Sequence, residues 1–289
     1  MIEIVTDSGC DLHERQLAGL PVTVVPLNVS IGDESFGKDN PISPAEFYRR
    51  LSETFQFPKT SQAAIGDFVE AYRAIAARGS EILSIHIAGA LSGTIRAARA
   101  AAALVPDAKV TFFDSKTLTS GLGWQVQAAG QAILKNWGLD QILSRLEMIR
   151  DQVDGQFTLK ELRYLIAGGR ISHIKGILAQ VLNIKPIILI NHEDGHYEDG
   201  GRAITLQRAL DQIVKLKEKH FGSVPLRAQV VHGQCPEGVA YLIEALRKKL
   251  DVVCEEALPV SPVLGAHTGP SLVGLIIGPL LLFKDLLPT

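Results

Sequence analysis

Three short polar patches in this chain carry residue types that could bind an anionic group. Each patch stands beside a predicted strand end or helix start: Thr60-Ser61-Gln62, Ser92-Gly93-Thr94 and His267-Thr268-Gly269. If the patches converge in the fold, their hydroxyl and imidazole groups supply several neutral hydrogen-bond donors without a lysine or arginine. Because 46% of the residues are hydrophobic, this pattern favours a ligand with a small acidic head and an apolar body.

The segments that must position these patches alternate between strands and helices in the first half of the chain. β-Branched runs at residues 2–6, 81–87 and 109–114 predict strands, and helical patterns lie between them. Such alternation predicts parallel pairing in a layered α/β domain, with ligands gathering beyond the carboxyl ends of the strands. Asp7-Ser8, Ser92 and Asp114-Ser115 all lie at predicted strand exits.

The pattern changes near residues 151–155, which predicts an N-terminal α/β domain over residues 1–153 and a C-terminal α/β domain over residues 154–289. Residues 22–31 form a second apolar run in the first domain, and residues 252–259 predict a strand in the second. Short helices are predicted at 162–167 and 173–180. The apolar run at 272–283 is shorter than the ~20 residues of a membrane helix, so we expect a pair of buried strands there.

Composition argues against several classes of function. The formal net charge is −2, and no basic cluster is longer than Arg247-Lys248-Lys249, so nucleic acid is not an expected partner. The cysteines are three, widely spaced and without a CxxC pair, which argues against a disulfide framework or a thiolate zinc site. The N-terminus has no basic, cleavable leader pattern. We therefore expect a soluble, cytoplasmic protein.

Cofactor and metal motifs are weak. No GxGxxG follows the first predicted strand, and no GxxxxGK[ST] occurs in the sequence, so a nucleotide cofactor is not expected. The acidic and imidazole side chains of residues 192–199 resemble a metal cluster in composition. Asp194-Gly195 between β-rich flanks instead predicts a hairpin turn, and no metal site is expected.

A catalytic arrangement is the main alternative to a binding site. Ser92, His267 and Asp114 could form a nucleophile, base and orienting acid, as in a serine-dependent lipid hydrolase or acyltransferase. Ser92 lies in LSGT rather than in a GxSxG elbow, and no acidic residue stands at a motif spacing that would orient the histidine. Hydroxyl groups at helix starts also serve as simple caps, which is the structural interpretation of Ser92 and Thr60.

Eight short motifs occur in an order that resembles one family. They are TDSGCDL (6–12), KTSQ (59–62), LSGT (91–94), FFDS (112–115), YLIAGGRIS (164–172), NIKPI (183–187), GGRA (200–203) and HTGP (267–270). Together they resemble the DegV family of bacterial fatty-acid-binding proteins, from the first strand to the C-terminal region. The resemblance implies an N-terminal three-layer α/β/α lobe with a parallel-rich sheet, a C-terminal two-layer α/β lobe and a ligand tunnel between them.

The resemblance also implies a function. A long-chain fatty acid such as palmitate would occupy the tunnel, with its carboxylate at Thr60, Ser92 and His267 and with Ser61, Gly93, Thr94 and Thr268 as accessory residues. The chain would carry no catalytic residue or cofactor. It would present the fatty acid to a separate ATP-binding subunit of fatty acid kinase, which makes an acyl phosphate for phospholipid synthesis, and would contact the membrane surface transiently. A lipid carrier or sensor without a kinase partner is a further alternative.

Two arginines and three differences from the usual family sequence also bear on the expected site. Arg170 and Arg202 each follow a glycine pair, and they are expected either to contact the kinase subunit or the transferred phosphate, or to form local ion pairs. The family usually has a serine pair at Ala88-Gly89, proline at Ala63 and often tyrosine at Ile95. The first difference removes hydroxyl groups near the expected head-group pocket, and the others change packing.

Overall fold

The computed structural model describes residues 1–171 and 184–286. Within these ranges the strands are β1 (Ile2–Asp7), β2 (Val22–Val25), β3 (Asn28–Ile31), β4 (Glu34–Phe36), β5 (Lys59–Ser61), β6 (Glu81–His86), β7 (Val110–Asp114), β8 (Asp154–Thr158), β9 (Lys185–Ile190), β10 (Tyr197–Ala203), β11 (Leu226–His232), β12 (Val252–Cys254), β13 (Leu258–Pro259) and β14 (Val273–Pro279). The helices are α1 (Glu14–Leu17), α2 (Pro44–Glu53), α3 (Ile65–Ala76), α4 (Thr94–Ala103), α5 (Thr119–Leu134), α6 (Leu139–Gln152), α7 (Arg163–Gly168), α8 (Leu206–Phe221), α9 (Pro236–Lys249) and α10 (Pro262–Thr268).

The N-terminal lobe is built on a parallel sheet with strand order β2-β1-β6-β7. Its strands are β-branched and apolar because helices α3, α4 and α5 pack against the sheet and exclude water. A small antiparallel sheet, β4-β3-β5, lies beside it and carries Thr60. Helix α2 begins where Ser43 Oγ accepts a hydrogen bond from the Glu46 amide at 3.2 Å.

The C-terminal lobe is built on a mixed sheet with strand order β10-β9-β8-β14-β11-β12, and β13 also pairs with β11. Helices α8 and α9 cover one face and form a core with it that includes Ile187, Leu210, Leu242 and Leu275. The other face joins a larger core that also contains the interior of the N-terminal lobe. The expected two-lobed α/β architecture is therefore confirmed.

Helix α5 and the C-terminal sheet contact each other directly. Trp124 of α5 donates its indole N–H to Gln229 Oε1 of β11 at 3.2 Å. The Arg227 guanidinium lies over the rings of Trp124 and Phe283, 4.2 and 4.6 Å from their centroids. It also forms a 2.6 Å ion pair with Glu255, which satisfies a charge that burial would otherwise make costly. These contacts link the two lobes.

Several predicted elements differ in the structure. Residues 272–283 form one strand, β14, followed by a short 3-10 turn rather than a pair of strands. Residues 22–31 and 252–259 each divide into two strands, and Pro26 lies in the first of these breaks. Helix α10 was not predicted, because its seven residues are too few for a helical period to stand out. The predicted helix at 173–180 lies outside the described residues.

The expected domain boundary at 153/154 falls between the end of α6 and the start of β8, and it stays a prediction. The hairpin predicted at Asp194-Gly195 is confirmed, since β9 and β10 pair antiparallel across that turn. Across residues 1–171 and 184–286, no helix combines the length and hydrophobicity needed to cross a bilayer.

A partly buried charged cluster ties α6 to the C-terminal sheet. Asp154 at the start of β8 accepts hydrogen bonds from Lys217 of α8 and from His192 Nε2, the latter at 2.7 Å. His192 Nδ1 lies 2.7 Å from the Arg150 carbonyl oxygen near the end of α6. Burial alone would raise the pKa of Asp154, but the hydrogen bond from His192 and the charge of Lys217 outweigh it and lower the pKa to about 2. The hydrogen bond to Asp154 raises the pKa of His192.

These opposite shifts predict a bell-shaped pH dependence for the contribution of Asp154 to stability. Its lowered pKa stabilises the fold above about pH 4, an effect lost as pH falls towards 2. The raised pKa of His192 stabilises the fold below about pH 6.5, an effect lost as pH rises through the folded-state pKa. Asp154→Asn should cost about 3 kcal/mol of unfolding free energy near pH 5.5, and less at both extremes.

Chemical denaturation at pH 3, 5.5 and 8.5 tests this expectation. Glu244→Gln, which removes an exposed pair with Lys248, serves as the control and should change stability little at any pH. A loss of stability in Asp154→Asn that is the same at all three pH values would contradict the assignment.

Candidate functional site

A cavity of about 310 Å³ opens between the two lobes, at the lower end of the range of about 300–1,000 Å³ for small-molecule sites. The N-terminal lobe contributes β5, the loop before α4 and Leu118 at the start of α5. The C-terminal lobe contributes Tyr197 of β10, helix α10 and Arg170, which follows α7. Its walls are formed by Leu27, Thr60, Ser61, Gln62, Ile87, Leu91, Ser92, Gly93, Leu118, Arg170, Tyr197, Val263, Leu264, His267 and Thr268. The three polar patches picked out in the sequence therefore meet at one cavity.

Thr60 and His267 form the direct connection between the patches. Thr60 Oγ1 lies 2.8 Å from His267 Nε2, although the residues are 207 positions apart in the chain. Thr60 lies on β5, paired with Val29 of β3, and His267 lies near the end of α10, which packs on β3 and β5. The bond therefore joins a helix of the C-terminal lobe to a strand of the N-terminal lobe.

Glycines bring the backbone of α7 close to this pair. A Cβ atom on Gly168, the last residue of α7, would lie 2.2 Å from His267 Nδ1. Gly269 follows α10 with a φ of 72°, and a Cβ atom there would lie 2.2 Å from a ring carbon of Tyr164. Larger residues at either position would force the imidazole or the end of α10 to move.

The protonation of His267 follows from its surroundings. Burial, and then the nearby charge of Arg170, lower the pKa of His267 to about 4, so the imidazole is neutral near pH 7. Among the described residues Nδ1 has no hydrogen-bond partner. A buried N–H without a partner is rarer than a buried acceptor without one. We therefore place the proton on Nε2, donated to Thr60, which leaves the Thr60 hydroxyl able to donate into the cavity.

Ser92 faces the cavity from the loop before α4. Its Oγ lies 2.8 Å from Thr94 Oγ1 and accepts a hydrogen bond from the Thr94 amide at 3.3 Å. This is the local bonding expected of a residue at a helix start, and it coexists with a position in the cavity wall. Thr94 is buried behind Ser92 and is not among the wall residues.

Two accessory residues have local contacts that limit their access to a ligand. The Thr268 hydroxyl donates to the Leu264 carbonyl oxygen at 3.0 Å, so a ligand would compete with that bond. Gly93 lies against the Gln62 side chain, where a Cβ atom would be 1.8 Å from Gln62 Oε1. The ligand-binding roles of Thr60, Ser92 and His267 and of the accessory residues stay predictions.

The catalytic alternative is not assembled in this geometry. His267 Nε2 bonds to Thr60 rather than to Ser92. Asp114 accepts hydrogen bonds from the amides of Gly89 and Lys116, at 3.2 and 3.0 Å. Because Nδ1 of His267 has no partner among the described residues, no acid orients the imidazole as a catalytic base would require.

A hydrogen-bonded chain that resembles a triad does occur elsewhere, at the centre of the N-terminal sheet. Ser84 Oγ lies 2.7 Å from His86 Nε2, and His86 Nδ1 lies 2.9 Å from Asp7 Oδ2. All three side chains are fully buried, so a substrate cannot reach them and we assign them to the core. Polar residues two apart in β6 were the sequence signal for this network.

The departure at Ala88-Gly89 changes the packing of the loop after β6. Neither residue is among the wall residues of the cavity. A Cβ atom on Gly89 would lie 2.8 Å from Asp114 Oδ2 and 3.3 Å from Cγ2 of Ile95. The glycine at 89 therefore fits the isoleucine at 95, and two of the three departures belong to one packing arrangement.

The two arginines take different positions. Arg170 lies in the cavity wall and donates from Nη1 to the Gly168 carbonyl oxygen at 2.6 Å. A cation thus lies beside the three polar patches, which themselves offer only neutral donors. Arg202 of β10 is not a wall residue, and it forms an ion pair with Asp199 at 3.2 Å. Within residues 1–171 and 184–286, no group of three or more metal-ligating side chains comes together.

An apolar extension leads inward from the cavity. It has about 30 Å³ of open space and shares Leu118, Tyr197, Leu264 and Thr268 with the outer cavity. Its remaining walls come mostly from the inner face of the C-terminal sheet, where Phe157 and Ile276 lie, and from Thr119 of α5. Polar groups at the outside followed by an apolar interior suit a molecule with one polar end.

Comparisons with known proteins relate the whole chain to one family. A family model described as "Uncharacterised protein, DegV family" matches residues 1–279. A DegV domain-containing protein of Staphylococcus aureus is 33% identical over 275 residues, which cover 95% of this chain and 97% of that protein. A solved structure of a DegV family protein from Thermus thermophilus, described as binding fatty acid, is 32% identical with a TM-score of 0.88 and covers 96% of this chain and 99% of its own. A stearic-acid-binding protein from Eubacterium ventriosum is 27% identical with a TM-score of 0.84, over 96% and 98% of the two chains.

The close approach of Gly168 to His267 yields a prediction. Gly168→Ala should weaken binding of palmitate, the ligand expected from the sequence, by about 1.5–3 kcal/mol, because the new methyl group displaces the imidazole. Gly66→Ala in α3 is the matched control, since nothing lies within 4 Å of its added Cβ. That control should bind normally and gain up to about 1 kcal/mol of stability from helix propensity. Equal palmitate affinities in the two variants, measured by calorimetry, would contradict the prediction.

Proposed function

Because this chain belongs to the DegV family, we propose that it binds one long-chain fatty acid between its lobes. The acyl chain enters the apolar extension, and the carboxylate stays at the Thr60–His267 pair. The observation that carries this proposal is the joining of Thr60 and His267 in the polar wall of a cavity that continues into a mainly apolar extension. The fatty-acid-binding relatives of similar fold support the ligand class.

The energetics favour a long chain. Each buried methylene contributes about 0.8 kcal/mol, so a palmitoyl chain offsets the entropy lost on association and leaves tight binding. The inner walls, with Phe157, Ile276 and Leu264, offer contacts of that kind. Chain length and unsaturation depend on how far these walls yield to the ligand.

The head group needs donors, since burying an ionised carboxylate without hydrogen bonds is costly. The Thr60 hydroxyl, polarised by His267, and the Ser92 hydroxyl can both donate to it. Arg170 adds a positive charge in the same wall, bonded to the Gly168 carbonyl oxygen. The carboxylate is thereby stabilised without a buried lysine.

Mass spectrometry of an organic extract of the purified protein tests the ligand. We expect free fatty acid at about one equivalent per chain.

Thr60→Val and His267→Ala should each lower palmitate affinity by about tenfold to a hundredfold, as expected for hydrogen bonds to a charged group, and Ser92→Ala should act in the same direction. Thr111→Val on β7, outside the cavity, is the control. A covalent acyl group on Ser92 would instead support the hydrolase alternative, and unchanged affinity in all three site variants would refute the site.

We further propose that a separate ATP-dependent kinase subunit phosphorylates the bound carboxylate. The absence of a nucleotide-binding motif in this sequence supports a partner that supplies ATP. Arg170 beside the head group is suited to stabilise the transferred phosphate, and Arg202 is suited to contact the partner, because guanidinium groups pair with phosphate and carboxylate in a bidentate manner.

Arg202→Ala tests the second arginine in a reaction reconstituted with an ATP-binding fatty acid kinase subunit. Because its ion pair with Asp199 is partly exposed, the variant should keep its thermal stability and its bound lipid. Acyl phosphate formation should fall by about tenfold or more, the loss expected for a charge-assisted contact. Arg208→Ala, an exposed arginine of α8, is the matched control, and the wild-type chain alone with ATP should make no acyl phosphate. Full activity in Arg202→Ala would remove this residue from the partner contact, and turnover by the lone chain would overturn the carrier proposal.

Transient contact with a membrane surface completes the proposal. Phe55 is fully exposed and Phe57 is partly exposed in the loop that leads into β5. Phe57 packs edge-on against Tyr164 of α7, with ring centroids 5.6 Å apart. Exposed aromatic side chains beside the head-group residues are suited to a lipid surface from which the ligand could be loaded.

A further inference from the structure

Asp11 joins three segments that are far apart in the sequence. It follows β1 and a short 3-10 turn in the N-terminal lobe. Its carboxylate accepts a 2.6 Å hydrogen bond from Thr119 Oγ1 at the start of α5 and a 3.0 Å hydrogen bond from the Ser261 amide. Ser261 is the residue immediately before α10. A side chain of the N-terminal lobe thus holds the beginning of the helix that carries His267.

Helix α10 touches the N-terminal lobe at three points along its length. The first is the bond between Asp11 and Ser261. The second is Gly265, where a Cβ atom would lie 2.5 Å from Tyr48 Oη, and the third is the Thr60–His267 bond. His267 stands six residues beyond Ser261, about 9 Å along the helix axis. A shift of the helix start therefore displaces the imidazole.

The Asp11–Thr119 bond joins two residues with left-handed backbone conformations, and that of Thr119 is strained. Asp11 has a φ of 50° and Thr119 a φ of 49°, in the left-handed region that a β-branched threonine seldom adopts. Such conformations persist where surrounding contacts hold them, and they concentrate at functional sites. Thr119 also lines the inner extension of the cavity. The Asp11–Thr119 bond therefore lies between helix α10, which carries His267, and the walls of that extension.

The carboxyl group of Asp11 lies in an unfavourable environment for a charge. Burial raises its pKa to about 7, in spite of the hydrogen bonds from Thr119 and Ser261. The Tyr48 hydroxyl nearby is buried without a hydrogen-bond partner among the described residues. A carboxyl group in such surroundings lowers the stability of the fold even though it accepts two hydrogen bonds. Its presence therefore points to a role in the site.

We propose that Asp11 is a positioning residue for the fatty-acid carboxylate. By holding the Ser261 amide it fixes α10 against the N-terminal lobe, and so keeps His267 at hydrogen-bond distance from Thr60. The role rests on the proposed function, since it requires the carboxylate to bind at that pair. Asp11 itself does not contact the ligand.

The test compares a fatty acid with an ester that lacks the carboxylate. Affinities for palmitate and methyl palmitate are measured by competition with a fluorescent fatty acid, in the full chain freed of lipid. Wild type should prefer palmitate, and Asp11→Ala should reduce that preference by at least about tenfold, as expected when a binding group moves by about 1 Å. Asp11→Asn should restore most of it, because the amide oxygen can accept from Ser261 and the amide nitrogen can donate to Thr119.

Asp154→Ala is the control for a loss of stability without a change in α10. It removes a partly buried carboxylate that bonds to His192 and Lys217. The variant should unfold more readily while keeping the wild-type preference for palmitate. NMR spectroscopy gives a second measurement. The chemical shift of His267 Nε2 that marks its hydrogen bond to Thr60 should be lost in Asp11→Ala and kept in Asp11→Asn.

Distinct results overturn distinct claims. A preference for palmitate that persists in Asp11→Ala overturns the role of Asp11 and leaves the head-group site intact. A wild-type chain without that preference overturns the site itself, and the role of Asp11 with it. If Asp11→Ala does not fold, Thr119→Ala and Thr119→Ser are compared. The proposal is supported if Thr119→Ala loses the preference for palmitate and Thr119→Ser keeps it. It is overturned if the two variants show the same preference.

Discussion

A continuous apolar core shared by the two lobes determines where the site residues lie. The core extends from Ile4 in the first strand through Trp124 of α5 to Ile276 of the C-terminal sheet. Helix α5 is its centre, because it contacts both sheets. Since packed interiors deform little, loops from the two lobes meet at defined positions, and a cavity between them can be lined by residues that are 200 positions apart.

The electrostatics of the cavity suit a single anionic group. His267 is neutral near pH 7, because burial and Arg170 lower its pKa to about 4, and it serves as a hydrogen-bond donor rather than as a charge. Arg170 supplies the positive charge from the edge of the same wall. In the proposed complex, the hydroxyl groups of Thr60 and Ser92 define where the carboxylate lies, and the charge of Arg170 stabilises it beside the proposed kinase subunit.

The site depends on close packing as much as on chemistry. Gly168 and Gly269 allow α7 to approach the imidazole and the end of α10, and Asp11 holds the beginning of that helix. The strained backbone of Thr119 shows that this arrangement carries a conformational cost. Such a cost is more easily explained by a helix that must stand at a defined distance from Thr60 than by general stability, which apolar packing could provide.

The sequence by itself determined the class of fold and the identity of the patches. Alternating β-branched and helical segments predicted the parallel sheet, and Asp194-Gly195 predicted the hairpin, because both signals are local. The family resemblance came from eight short motifs in order, three of which contain Thr60, Ser92 and His267. Local signals could not reveal helix α10, because this short helix is stabilised by contacts with β3, β5, α2 and α7. Nor could they show that Arg170 lies in the cavity wall while Arg202 does not, or that Asp11 bonds to a residue 250 positions away. Those relations exist only when the lobes pack together, since the distances that decide them are set by the shared core and not by neighbours in the chain.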